Sequence, residues 1–290
     1  MTAYNRKKQL LFTLETIHKS TYNNIEIIIV DDCSIESERF DTEHYRNEYE
    51  NTLFDKLNIH IIRINQTEKT WVNPCIGYNI GLKKATGDII IIQNAEVCHI
   101  GDCISYVANH LVKGDWMTLN CYGLDNFEQN YIIKHVYDTN NSVYDIINTV
   151  HSNKIGNSSL FTNNPEGWLN YYAHFFTAYH YFGAIYRDDL VTKMDGGFCE
   201  EYKDGTCCDD NDFIKYLIYN NFRFTTTVFD SEHPFVIHQY HEKCDLYGSE
   251  FAHYHRINMD IFAKRMKQIK MSNVIDITHE KYIPDPIILP

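Results

Sequence analysis

Apolar residues come in this chain as short unbroken runs rather than as alternations. "NIEIIIVDDCS" opens with such a run, four isoleucines stand together at 89–92, and "YHYFGAIYR" (179–187) and "DWMTLNCYGL" (115–124) carry others. Runs of four or five apolar residues mark strands buried on both faces, as parallel sheets covered by helices produce. "NIHIIRIN" (58–65) reads as a further strand. Between these runs the period lengthens. Leu10, Leu11, Leu14 and Ile17 share one face of a helix over 5–20. "NPCIGYNIGLKKATG" (73–87) reads as a helix, with Pro74 in its first turn and Gly87 at its stop. Gly101 to Lys113 gives another, and the polar stretch 34–57 is expected to be helical. Alternating strand and helix predicts an α/β, Rossmann-like, mainly parallel sheet flanked by helices, with right-handed crossovers.

The second half is less regular. Residues 125–170 lose the rhythm and read as an insertion rich in Asn, Tyr and Ser. "DDNDFIKYLIYNN" (209–221) predicts a helix whose acidic first turn suits the helix dipole. Residues 247–270 predict a C-terminal helical extension, followed by an extended tail. At the other end, "MTAYNR" is a loop signal with a helix directly behind it, so the first strand is expected to be missing. An absent inner strand leaves its neighbours with unpaired backbone groups, which is costly.

Composition narrows the function. The 290 residues are 44% hydrophobic, enough for a substantial core, and the formal charge is −13. That charge argues against nucleic acid as a partner, which needs a basic surface. A nucleotide remains open to it, held by a few local groups and a metal ion. Nine cysteines, an odd number without repeating spacing, read as free thiols of a reducing compartment. With no signal-peptide pattern and no apolar run near the ~20 residues that cross a bilayer, a cytoplasmic protein without a transmembrane segment is expected.

Four groups carry candidate chemistry. "TAYNR" stands at 2–6, "VDDCS" at 30–34, "QNAE" at 93–96 and "DDNDF" at 209–213. Each follows a strand or opens a helix. With "GYNIGLKKATGDIIIIQNAE" and "GGFCEEYKDGTCCDDNDF", this ordered set resembles the family 2 glycosyltransferases of the GT-A fold, over about residues 1–240. The resemblance implies a GT-A domain over 1–240, with a nucleotide-binding half (1–124) and an acceptor and catalytic half (125–240). Residues 241–290 form the extension. It also implies an inverting transferase moving a hexose or N-acetylhexosamine from a UDP-sugar to a hydroxyl of a glycan or glycoconjugate.

Residue roles follow from chemistry and resemblance together. Thr2, Tyr4, Arg6, Asp32, Asn73 and Asn94 are the candidates for holding the nucleotide-sugar. A carboxylate at a strand end, as Asp32 is, accepts strong bonds from a uracil N–H or a ribose hydroxyl, although it could equally cap the following segment. A diphosphate leaving group needs its charge neutralised, which a divalent cation does through carboxylates and the phosphates themselves. The resemblance places Mn²⁺ or Mg²⁺ at Glu96, where the family's Asp-x-Asp becomes Asn94-Ala95-Glu96, with His238 completing the shell. A zinc site of His238, His241 and Cys244 is the alternative for that histidine. Asp210 is the candidate base, with Asp209 second. Repulsion among clustered carboxylates raises the proton affinity of at least one. Gly196, Gly197 and Trp168 are the candidate sugar contacts, with core packing as the other explanation for the aromatic run 168–182. Two rival functions are a sugar nucleotidyltransferase, which lacks its glycine-rich basic loop here, and an inactive sugar-binding module.

Overall fold

The computed structural model describes residues 1–41, 57–140, 142–152, 168–170, 178–227, 232–242, 248–272 and 287–288. The first strand is present but only two residues long: β1 (Thr2–Ala3) lies parallel to β2 (Glu26–Asp31), with Thr2 opposite Val30. So the expected gap is a shortening, and no periodic pattern can be read from two residues. On its other side β2 pairs in parallel with β3 (Asn58–Arg63). Between β1 and β2 runs α1 (Lys7–His18), burying Leu10, Leu14 and Ile17. The stretch after β2 contains a 3-10 turn at Glu36–Glu38, and the rest of the helix expected there, 42–56, lies outside the described residues.

A second sheet forms the centre. Its order is β12 (Ile287–Ile288), β10 (Arg223–Thr226), β6 (Asp115–Thr118), β9 (Phe182–Tyr186) and β4 (Ile89–Gln93). β9 is the exception to parallel pairing, lying antiparallel between β4 and β6. A run buried on both faces has no signature of direction, so its sense was not readable from sequence. A third sheet joins β5 (Val97–Ile100), β11 (Phe235–His238), β7 (Cys121–Gly123) and β8 (Trp168–Asn170). The run 115–124, read as one strand, is therefore two strands in two sheets. The break falls at Asn120, fully buried, whose Nδ2 donates to the Thr227 carbonyl at 2.8 Å. The same Nδ2 lies 3.1 Å from Thr227 Oγ1, so the donor side of this amide spans the break, while its buried Oδ1 has no hydrogen-bond partner among the described residues.

Eight helices are described in all. α2 (Cys75–Lys84) packs on β2, and α3 (Cys103–His110) starts at Asp102, whose carboxylate accepts from Ser105 N–H at 3.1 Å. The segment 125–152, expected to be irregular, contains α4 (Phe127–Asn140) and α5 (Val143–Ser152). α6 (Arg187–Lys193), α7 (Asp209–Tyr219) and α8 (Gly248–Ser272) complete the set. Among the described residues no helix is long and apolar enough to cross a membrane.

Among the described residues the first and second sheets do not join. β4 is the edge of its sheet and β2 meets only β1 and β3. Between them lies a cavity of about 640 Å³, lined by Ile27 and Ile28 on one side and Ile89 to Ile92 on the other. Ile104 and Val107 of α3 and Gly77 and Gly81 of α2 line it from above and below. The Glu26 carboxylate closes one end, accepting from Thr86 N–H at 2.6 Å and Gly87 N–H at 2.7 Å.

Candidate active site

Polar side chains gather where β1, β4, β11 and the start of α7 meet. There a cleft of about 340 Å³ is lined by Thr2, Tyr4, Arg6, Asn94, Glu96, Asp209 and Asp210, and also by Tyr78, Tyr179, His180, Tyr181, Thr206 and Cys207. β1 brings Thr2 to it, and Asn5, in the left-handed region at φ 52°, turns the chain into α1. Asn5 is fixed from both ends, its N–H donating to Ser34 Oγ at 2.9 Å and its Oδ1 accepting from Ile35 N–H at 3.0 Å. The tip of β4 supplies Asn94 and Glu96. Asn94 Oδ1 accepts from Tyr78 Oη at 2.9 Å, which ties that tip to α2.

Glu96, His238 and His241 form one cluster. Both histidine Nε2 atoms lie 3.4 Å from Glu96 Oε1, and the three ligand atoms are within 4.8 Å of one another. Burial pushes the Glu96 carboxyl up, but the two imidazoles outweigh it and hold it well below the ordinary range. Arg6 can only donate, so the 2.8 Å bond between its guanidinium and His241 Nδ1 puts the imidazole proton on Nε2, facing Glu96. The same Nδ1 lies 2.8 Å from the Glu242 carbonyl oxygen. In the other tautomer it donates there and bares the Nε2 lone pair, the arrangement that metal-ligating imidazoles use. One carboxylate and two imidazoles with that second partner fit a divalent metal. Of the zinc alternative, Cys244 lies outside the described residues.

The opposite wall is acidic. Asp209 is buried, accepts from Asn73 Nδ2 at 2.9 Å, and has its pKa pushed up to about 7 by burial and by the Asp210 charge. Asp210 keeps 41% of its side chain open to the cleft. Protein surrounds it on the other sides, and desolvation lifts its pKa to about 6. His180 Nδ1 stands 3.2 Å from Asp210 Oδ1, and burial lowers that imidazole to about 4, so it faces Asp210 as a neutral ring. The chain enters α7 through Cys207 and Cys208, both left-handed at φ 61° and 70°. Two such non-glycine residues cost about 1 kcal/mol or more each and persist only where the surroundings hold them.

Asp32, Asn73, Gly196 and Gly197 are not among the described residues that line this cleft. Asp32 is buried at the end of β2 with both oxygens taken, one by Lys69 Nζ and the other by Trp71 Nε1 at 2.9 Å. It reaches the cleft only through Lys69, whose Nζ stands 6.0 Å from the centre of the Tyr4 ring. Asn73 is 1% exposed and serves Asp209 and the Cys75 N–H. Gly196 and Gly197 do not line the cleft. They form a turn with φ 80° and 157°, and a Cβ on Gly197 would sit 2.3 Å from Asn79 Oδ1. The close approach to α2 accounts for Gly197, whereas a Cβ on Gly196 would meet nothing within 4 Å and its φ of 80° alone favours glycine. Trp168 lies on β8, paired with Tyr122. Sequence reasoning missed Lys69 and Trp71, which stand in a loop without periodicity, and His180, which stands at the start of the run read as a strand over 179–187. It weighed His241 only for zinc.

Comparison with known proteins agrees with this geometry. The family model described as "Glycosyl transferase family 2" matches residues 1–180. The chain belongs to glycosyl transferase family 2. Among solved structures, S. aureus TarS 1-349 in complex with UDP-GlcNAc is similar at 17% identity, covering 94% of this chain and 72% of that one, with a TM-score of 0.50. GalNAc-T7 with UDP, GalNAc and Mn²⁺ is similar at 12% identity, covering 96% and 51%, also with a TM-score of 0.50. These likenesses show the GT-A fold of this family 2 chain. No curated protein matches it. The family match contains Glu96 and the β1 loop, whereas Asp209, Asp210, His238 and His241 lie beyond it.

Proposed function

We propose that this family 2 chain is an inverting glycosyltransferase that moves a hexose or N-acetylhexosamine from a UDP-sugar to an acceptor hydroxyl of a glycan or glycoconjugate. One observation carries the reading: two carboxyls of raised proton affinity, Asp209 and Asp210, line a single cleft with Glu96, the carboxylate that His238 and His241 flank. A base beside a divalent-cation site is what displacement of a diphosphate needs.

Asp210, open to the cleft, takes the proton of the acceptor hydroxyl. The acceptor oxygen attacks the anomeric carbon from the face opposite the diphosphate, the bond to the diphosphate oxygen breaks, and UDP leaves with the electron pair. Neutral His180 holds the Asp210 carboxylate in place, and Asn73 holds Asp209. Glu96, His238 and His241 would hold Mn²⁺ or Mg²⁺, which when bound neutralises charge on the departing diphosphate. Thr2, Tyr4, Arg6 and Asn94 line the donor side. The structures of UDP-GlcNAc-bound TarS and of GalNAc-T7 with UDP, GalNAc and Mn²⁺ support this choice of donor and metal class.

The test is UDP release from a panel of UDP-sugars with Mn²⁺, with Mg²⁺ and with chelator. Release with at least one donor, abolished by chelator and by Glu96→Gln, supports the transferase. UDP binding without turnover for every donor would sink it in favour of a binding module.

A further inference from the structure

The C-terminal helix α8 lies outside the cleft, yet it grips the segment that delivers Asp209 and Asp210. Asn258, fully buried, donates through Nδ2 to the Tyr202 carbonyl at 3.1 Å and to the Cys207 carbonyl at 2.9 Å. One turn earlier, the Tyr254 carbonyl accepts from Thr206 N–H at 3.2 Å. One turn and more beyond, the Arg265 guanidinium makes two parallel bonds to Asp212, at 2.7 and 3.0 Å, and Tyr202 Oη adds a third at 3.0 Å. Positions 254, 258 and 265 share one face of a helix. The approach is close, since a Cβ on Gly205 would stand 2.2 Å from Asn258 Oδ1.

These contacts bracket the turn through Cys207 and Cys208. Left-handed backbone at two consecutive non-glycine residues needs an external constraint, and α8 supplies one. The bonds to Cys207 and Thr206 act on the N-terminal side of Asp209, and the Arg265 fork acts one residue after Asn211. The two carboxyls thus sit between two anchors on the same helix.

We propose that Asn258 and Arg265 are positioning residues for the transfer reaction, holding the 205–212 segment so that Asp209 and Asp210 face the cleft. The inference rests on the transferase reading above. Neither residue lies among the described cleft-lining residues; of the segment they hold, Thr206 and Cys207 line the cleft beside Asp209 and Asp210, and the donor side is assigned to Thr2, Tyr4, Arg6 and Asn94, so the signature is a loss of turnover that exceeds any loss of donor affinity.

The experiment measures kcat, donor KM, melting temperature and amide exchange for Asn258→Ala, Arg265→Ala and Arg265→Lys. A misplacement on the order of 1 Å costs about 10²-fold in rate, so kcat of the two alanine variants falls by ~10–100-fold while donor KM stays within about twofold. Arg265→Lys recovers part of the rate, because lysine keeps the charge but loses the fork. Amides 206–210 exchange faster in the alanine variants, and those of β4 do not. Arg223→Gln, which breaks the Arg223–Asp115 pair at 2.7 and 2.8 Å on β10 and β6, serves as a control that lowers stability alone. The inference is overturned if the alanine variants turn over at the wild-type rate, or if kcat and donor affinity fall together in step with melting temperature as a general loss of structure would dictate. Should the wild type itself release no UDP, the transferase reading fails, and the exchange at 206–210 still decides whether α8 holds the turn.

Discussion

Asp210 and Asp209 sit side by side but titrate in different surroundings. A base works in its deprotonated form, and desolvation puts Asp210 at about 6. The transfer rate should therefore climb as pH rises through about 6 and level off above 7, measured as kcat at saturating donor. Asp210→Asn should lower kcat by ~10²–10⁴-fold and remove that rise. Asp209 gives a stability prediction instead. Its folded pKa, about 7, lies above the unfolded value, so folding is penalised increasingly as pH rises through that range. Asp209→Asn should accordingly melt higher than wild type at pH 8, with the gain shrinking toward pH 4. Calorimetry at the two pH values checks the sign, and a lower melting temperature at pH 8 would show that Asn73 relies on the carboxylate. Glu96, Asp209 and Asp210 were legible because each follows an unbroken apolar run or opens an acidic helix turn. Lys69 and Trp71 were not, since a loop carries no period, and each occupies one oxygen of Asp32.

At the scale of the elements, α2 links donor side and core. Two of its glycines differ in what a methyl would meet. At Gly77 a Cβ would stand 2.7 Å from Thr2 Cγ2, and at Gly81 the nearest atom is Val30 Cγ2 at 3.4 Å. Gly77→Ala should push Thr2 out of the cleft and destabilise the fold by ~1–3 kcal/mol, as overpacking does. Gly81→Ala should stabilise by ~0.5–1 kcal/mol, the cost that glycine imposes inside a helix. Denaturant titration of both variants tests the pair, and equal effects would contradict the packing. Helices α1, α2, α3, α7 and α8 were readable from their apolar faces, caps and stop signals, whereas α4 and α5 fell in a stretch read as an irregular insertion. Strand topology was less so. β1 is too short to carry a pattern, β9 conceals its direction, and the passage from β6 to β7 turns on one buried amide at Asn120. Glycines at 196 and 197 announced a turn but not the side it faces, and here it packs on Asn79.

At the scale of the molecule, α8 bonds the turn that leads into α7, and a cavity separates β2 from β4. Isoleucine side chains and unpaired strand edges line that cavity together. Such edges are templates for a further strand, and proteins guard them with charge. Among the described residues lining this one, the side-chain charges are the carboxylates Glu26 and Asp88, with no lysine or arginine. On warming, the interrupted sheet is thus an entry point where a neighbouring molecule can thread its own extended backbone. Turbidity should grow faster than linearly with concentration, and Ile91→Lys, which puts a cation in the gap, should delay its onset.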